Sequence, residues 1–390
     1  MLYDVVITGA GPAGSSLALE LVRHGVDAGR ILLLDRQAFP RQKLCAGGLT
    51  ARANRALRRW NVELKYAWDV PYIQFATHGS RVRFHEPGRL CVSDRWELDA
   101  ALRDRALAVG VQAQTDALAT VEQTDWGWQI RTASGQQIRG RYLVGADGYG
   151  SRIRRHLTGK TEGHGGKLLE VSVPHPHAAQ VPLEMHFGVV EQGVAGYTWQ
   201  FPYISAQDGQ HYVKYGIMDR FGRNSTAHLR ALLADYMQAC GAEVPAHLDG
   251  YPERYWTPLT RMIWPRAALI GDALGVEGLL GEGLAVSFDQ ARYLAPRLAR
   301  ALERRTDMPG WYNVSYPFSR YGWNHWFLDV LGRFVYGRRY RFWLQILVGD
   351  RRQETLSQRS DFGGFGRFAR NWWPLTQIAV GRFLDRWRRG

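Results

Sequence analysis

Tyr3-Asp-Val-Val-Ile-Thr8-Gly9-Ala-Gly11-Pro-Ala-Gly14 stands near the start of the chain, and the reading of this stretch decides the fold. Residues 3–8 read as a short buried parallel strand, and the apolar-periodic segment from about Ser15 to His24 predicts a helix. Between them lies Gly-x-Gly-x-x-Gly in the position where it has a mechanical meaning. Gly9 permits a tight turn, Gly11 lets a pyrophosphate approach the backbone, and Gly14 lets the helix lie close to the strand. Pro12 and Ala13 complete the turn, and the helix N-terminus then turns its positive dipole end toward the phosphates. A second strand, Ile31-Leu-Leu-Leu34, ends in Asp35, where a carboxylate can accept from adenosine ribose hydroxyls, with Arg36 beside it. Strand, glycines, helix, strand and acid in register predict a dinucleotide site.

Two later segments refine that expectation. Tyr142-Leu-Val-Gly-Ala-Asp147-Gly148 is a strand running into a turn, and Ala267-Ala-Leu-Ile-Gly271-Asp272 is another apolar strand, followed by Gly281-Glu-Gly283-Leu284 and a helix to about Arg300. The three segments together resemble the signatures of the flavoprotein monooxygenase and reductase superfamily. That resemblance implies a p-hydroxybenzoate hydroxylase-like fold and FAD as cofactor. It would put Gly271 and Asp272 on the ribityl or pyrophosphate part of FAD and Gly281, Gly283 and Leu284 near the pyrimidine end of the flavin. Asp147 and Gly148 would shape the same cavity. A carboxylate fixed at a strand end suits flavin-chain hydroxyls, and a helix N-terminus stabilises charge on a reduced flavin. No second glycine fingerprint accompanies the first, so the electron donor is expected to be transiently bound NAD(P)H or a reduced ferredoxin-like protein.

Phe39-Pro-Arg41-Gln-Lys43-Leu-Cys45-Ala46-Gly47-Gly48 looks like the Pro-x-x-Lys-x-Cys-x-Gly-Gly stretch of the geranylgeranyl reductase family. Tyr197-Thr-Trp199-Gln-Phe201-Pro202 is similar to that family's Tyr-x-Trp-x-Phe-Pro motif, and Arg95-Trp-Glu-Leu-Asp99 resembles its Arg-x-x-x-Asp helix. The resemblance covers about residues 3–300. Departures are Ala46, where many members have Gly, and Leu274-Gly275-Val276-Glu277, where other sequences are more usual. The resemblance implies that Arg41, Cys45, Ala46, Gly47 and Arg95 lie at the cofactor. It also implies that Gly47, Gly48, Tyr197, Trp199, Phe201 and Pro202 meet the substrate, with Cys45, Tyr197 and Trp199 at the chemistry.

From the residues themselves, Tyr197, Trp199 and Phe201 alternate, so their side chains leave one face of a strand and suit either an apolar slot or a plain core. Cys45 beside two glycines suits a proton donor near the flavin, or simply a small buried apolar residue. The implied reaction is saturation of isolated C=C bonds in a polyprenyl lipid or quinone chain by hydride from reduced flavin. The nearest rival is an FAD-dependent monooxygenase or halogenase, because Tyr197 to Pro202 also resembles the Trp-x-Trp-x-Ile-Pro stretch of halogenases.

Composition bounds the rest. The 390 residues are 45% hydrophobic and 22% charged, which excludes a disordered or collagen-like chain. The net charge is +14, with 50 Lys and Arg against 36 acids, and only 5 of the basic residues are Lys. Residues 311–390 hold 14 Arg, 5 acids and 7 of the 15 Trp, a mixture that suits an anionic membrane face or a helical appendage. Scattered Arg without a sequence-reading motif argues against a nucleic-acid partner. No metal-ligand spacing is present: Cys45, Cys91 and Cys240 are far apart, and His164, His175 and His177 have no partner carboxylates. No secretory signal opens the chain and no apolar run spans a bilayer, so the expected location is cytoplasmic with peripheral contact on the inner membrane face.

The expected organisation is α/β, α+β overall. Residues 1–70, 95–160 and 255–304 would make a Rossmann-like FAD-binding domain, and 71–94 and 161–254 an inserted antiparallel-sheet substrate domain. Residues 305–390 would form a basic, Trp-rich helical C-terminal region, with turns around Gly337, Gly349 and Gly363-Gly364.

Overall fold

A computed structural model of the chain describes residues 2–160 and 165–337. His164, the turns expected at Gly349 and Gly363-Gly364, and Trp343, Trp372, Trp373 and Trp387 lie outside the described residues.

Two mixed sheets carry the architecture. In the first, β1 (Leu2–Thr8), β2 (Ile31–Asp35), β6 (Gln112–Thr115), β9 (Gln137–Gly145) and β16 (Ala267–Leu269) run parallel. An antiparallel edge strand, β15 (Ile263–Trp264), completes the order β15-β16-β9-β1-β2-β6. The hairpin of β7 (Leu118–Thr124) and β8 (Gly127–Thr132) joins through β8 to β9. Val5, Val6, Ile7, Leu32 and Leu33 are buried in succession rather than alternately, as befits strands covered by helices on both faces. Among those helices α1 (Pro12–Arg23) packs on α3 (Arg95–Ala108) and α6 (Gly283–Arg304), and α2 (Ala51–Arg59) packs on α6. The short α4 (Arg152–Thr158) leaves the end of β9, its first turn capped by the Ser151 hydroxyl accepting from the Arg154 N–H.

The second sheet has the order β14-β10-β13-β12-β11-β4-β5-β3. Its strands are β14 (Asp249–Arg254), β10 (Gly165–Pro174), β13 (His211–Asp219), β12 (Thr198–Ile204), β11 (Leu183–His186), β4 (Trp68–Ala76), β5 (Arg81–Val92) and β3 (Gly48–Leu49). The antiparallel expectation needs one correction, because β11 lies parallel to β4. These two strands are separated by more than a hundred residues of chain, so no hairpin imposes their direction. Val213, Tyr215 and Ile217 of β13 pack on Leu229, Leu233 and Met237 of α5 (Thr226–Ala239). The opposite face carries Phe75, Met185, Trp199 and Phe201, and Leu331 and Val335 of α8 (Trp323–Val335) join that cluster. The short α7 (Tyr312–Ser315) connects α6 to α8 and buries Tyr312. The site lies where this second face meets the C-terminal ends of the first sheet.

Candidate active site

The glycine turn is built as a cradle. A Cβ on Gly14 would stand 1.9 Å from the Gly9 carbonyl oxygen, so only hydrogen at this position allows α1 to start so close to β1. Gly11 is the N-cap of α1 and offers no side-chain cap, which leaves first-turn N–H groups for an external acceptor. Asp35 accepts from the Ala10 N–H at 2.8 Å and from the Gln37 N–H at 3.0 Å, one on each carboxylate oxygen, so its orientation at the end of β2 is set by backbone.

The second and third signatures close on the same space. Asp147 is held by the Ser151 hydroxyl and the Arg152 N–H and so braces the start of α4, and burial raises its pKa. Gln290 of α6 accepts from the Gly271 N–H at 2.6 Å and donates to the Gly275 carbonyl at 2.9 Å, spanning the turn that presents Asp272. Glu282, the N-cap of α6, also makes no side-chain cap bond; its carboxylate instead takes the Arg52 guanidinium and the Thr50 hydroxyl. Two helices thus start at the cavity with uncapped N-termini, an arrangement suited to a negatively charged group at each. The residues present fit FAD on these grounds.

Around Cys45 the geometry is more polar than its sequence implied. The Cys45 N–H donates to Glu170 Oε1 at 2.9 Å, and its carbonyl accepts from Lys214 Nζ at 3.0 Å. Glu170 and Lys214 are both buried, and Glu170 Oε2 has no hydrogen-bond partner among the described residues. Burial pushes the Glu170 carboxyl up to about 7, against the opposing pull of Lys214. Gly47 adopts φ +79°, and a Cβ there would meet the Ser93 carbonyl oxygen at 2.1 Å. Arg95 holds Asp99 through two bonds of 2.6 and 2.9 Å, and Arg41 reaches Asp99 at 3.4 Å. Burial works against the Arg95 charge, yet Asp99 and then Cys45 outweigh it and keep its pKa above the ordinary value.

All these elements line one cavity of about 970 Å³. The sequence-derived residues Gly9, Gly11, Pro12, Ala13, Asp35, Arg36, Arg41, Cys45, Ala46, Gly47, Gly48, Arg95, Asp147 and Gly148 border it. So do Tyr197, Trp199, Phe201, Gly271, Asp272, Gly281, Gly283 and Leu284. Two do not: Gly14 lies behind the turn it permits, and Pro202 leaves the strand on the face opposite Phe201. The Tyr197 hydroxyl is committed to the Leu280 carbonyl, and the Trp199 indole lies on Gly216.

Sequence reading missed the apolar arm formed by Phe75, Phe84, Leu183 and Met185, and it missed Asn324 and Leu328 of α8. It also missed Glu253, which borders the cavity beside Gly281 and Gly283. Burial, with Asp272 and Glu277 nearby, pushes the Glu253 carboxyl up to about 8. Strand alternation was the one signal available for the apolar residues; an acid inside β10 or β14 has none.

The fold and cavity therefore define a flavoprotein with a dinucleotide cradle opening into an apolar pocket. The profile of the FAD binding domain family matches residues 2–307, and the chain belongs to that family as an FAD-dependent oxidoreductase. It is 29% identical over 328 residues to digeranylgeranylglycerophospholipid reductase 2 of Methanopyrus kandleri, covering 78% of each chain. It is 27% identical over 315 residues to a menaquinone reductase of Mycolicibacterium smegmatis, covering 75% of each. A geranylgeranyl bacteriochlorophyll reductase-like protein of Thermoplasma acidophilum superposes with a TM-score of 0.69 at 17% identity, covering 85% of this chain and 87% of the other. A flavin-dependent brominase and a Pseudomonas aeruginosa protein described as a probable FAD-dependent monooxygenase share the fold, so likeness at this level shows the fold alone.

Proposed function

We propose that the protein saturates isolated C=C bonds of a polyprenyl lipid or of the prenyl chain of a quinone. The observation that carries this reading is the continuity of one cavity, polar at the two uncapped helix N-termini and apolar along the second sheet, with Cys45 to Gly48 at the join. Segments 1–70, 95–160 and 255–304 would hold FAD through the Gly9–Gly14 turn, Asp35, Asp272 and the start of α6. Segments 71–94 and 161–254 would hold the chain. Reduced FAD supplies hydride when bound, and its electrons come from NAD(P)H or a small reduced protein.

The residues' own part is positional and protic. Trp199, Phe201 and the apolar arm would seat the alkene and keep water away, which an unpolarised double bond requires. The Glu170 and Lys214 bonds to the Cys45 N–H and carbonyl hold the backbone from which its thiol projects. Cys45 would deliver the proton. A prenylated substrate also implies peripheral contact with the inner face of a membrane; among the described residues no helix is long and apolar enough to cross one.

The test is anaerobic incubation of chemically reduced holoenzyme with a geranylgeranylated lipid, read by mass spectrometry. Gain of two hydrogens per double bond is the expected result. A product that forms only with oxygen and carries an added oxygen or halogen would establish the rival monooxygenase or halogenase activity instead.

A further inference from the structure

The surface turn after α6 is not accounted for by the cavity. Trp311, Val314 and Phe318 are 61, 67 and 71% exposed, whereas Tyr312 and Tyr316 of the same segment are buried. The N–H groups of Val314 and Ser315 both donate to the Trp311 carbonyl, and that of Tyr316 donates to the Tyr312 carbonyl. The segment is therefore helical at 311–316, and Trp311 and Val314 stand one turn apart on its outer side, with Phe318 on the turn that follows. Presenting two aromatic rings and a valine together to water gains nothing for folding and marks a contact surface. The charges beside it are mostly cationic. Arg300 borders the same surface hollow as Trp311, and Arg304, Arg305 and Arg320 are exposed. Of the two acids between 300 and 320, Asp307 is already paired with Arg266 at 2.8 Å.

We propose that residues 311–318 are the docking surface of this protein for an anionic lipid bilayer. Trp and Phe favour the headgroup zone, Arg pairs with lipid phosphate, and valine inserts among the first methylenes. A nucleic acid would satisfy the arginines but would leave Val314 and Phe318 in water. With no membrane-crossing helix among the described residues, attachment is by inserted side chains and is reversible. The inference rests on the proposed reading only in naming the bilayer as the source of substrate; lipid binding itself is measured without turnover.

The experiment is co-flotation of the full holoenzyme with vesicles of phosphatidylglycerol and phosphatidylcholine, or of phosphatidylcholine alone. The wild type should prefer the anionic vesicles, less so at high salt, and W311S/V314S/F318S should weaken that binding by about tenfold or more. FAD content and melting temperature should not change. Brominated lipid should quench a part of the emission that is missing in W311F. Equal flotation of the triple variant, or no flotation of the wild type, would overturn the proposal. So would a large loss of melting temperature in the triple variant with unaltered flotation, since the patch would then be covered by the chain itself. Turnover of detergent-dispersed substrate separates the two readings: its absence in the wild type counts against the reductase and leaves the docking result standing.

Discussion

At the residue scale the cavity depends on a few groups whose environments oppose their ordinary chemistry. Cys45 is held through its backbone by Glu170 and Lys214 and its thiol faces the Arg95 guanidinium, so Cys45→Ala should keep FAD while lowering alkene reduction by about a hundredfold or more, the usual weight of a positioned proton donor. Flavin absorbance together with product mass checks both halves, and normal turnover would remove Cys45 from the mechanism. Glu253 has a different consequence. Its native pKa of about 8 lies above its ordinary 4.5, so the folded protein keeps a proton that the unfolded chain releases across that interval. This residue's contribution to stability is therefore full at low pH and declines as pH rises through the window. Glu253→Gln should abolish that decline, raising the melting temperature relative to wild type at pH 8 and hardly at pH 4.5; parallel melting curves would refute it. Neither Glu253 nor Glu170 was legible in the sequence, because an acid in a strand reads as a solvated face until other elements cover it.

At the element scale, strand alternation was legible and its partners were not. Tyr197, Trp199 and Phe201 could be assigned to one face of a strand from spacing alone, and that face does border the cavity. Their seat could not be assigned, because it is supplied by β13. Gly216 lies opposite Trp199, and a Cβ there would stand 2.0 Å from the indole. Gly216→Ala should displace the ring, cost about 1–3 kcal/mol as overpacking does, and raise the KM for a prenyl substrate with FAD retained. Gly14→Ala should act in the opposite sense. With the Gly9 oxygen only 1.9 Å from the new carbon, α1 must shift and FAD should be lost on gel filtration, whatever happens to the apolar arm.

At the scale of the whole molecule, α8 packs Leu331 and Val335 back onto the second sheet. Asp329 of α8 bonds Arg220 at 2.8 Å with both side chains buried, and the Tyr336 hydroxyl donates to the Leu279 carbonyl of the loop beside the cavity. Asp329→Ala leaves a buried arginine unpaired and should cost about 3–5 kcal/mol in a denaturant titration, with R220M/D329L recovering much of it. Recovery should be accompanied by a normal cavity, since Asn324 and Leu328 reach it from the same helix. The sequence by itself determined the cofactor class and the three segments that line the cavity, because strand-turn-helix phosphate cradles are local and their glycines admit few alternatives. Only the tertiary structure decided which face of the 311–336 segment is core and which is surface, and which buried acids stand behind Cys45 and the start of α6. Those outcomes depend on contacts made outside the segment itself, such as Tyr336 with Leu279, Asp329 with Arg220 and Cys45 with Glu170, and periodicity within one segment carries no information about the partner that covers it.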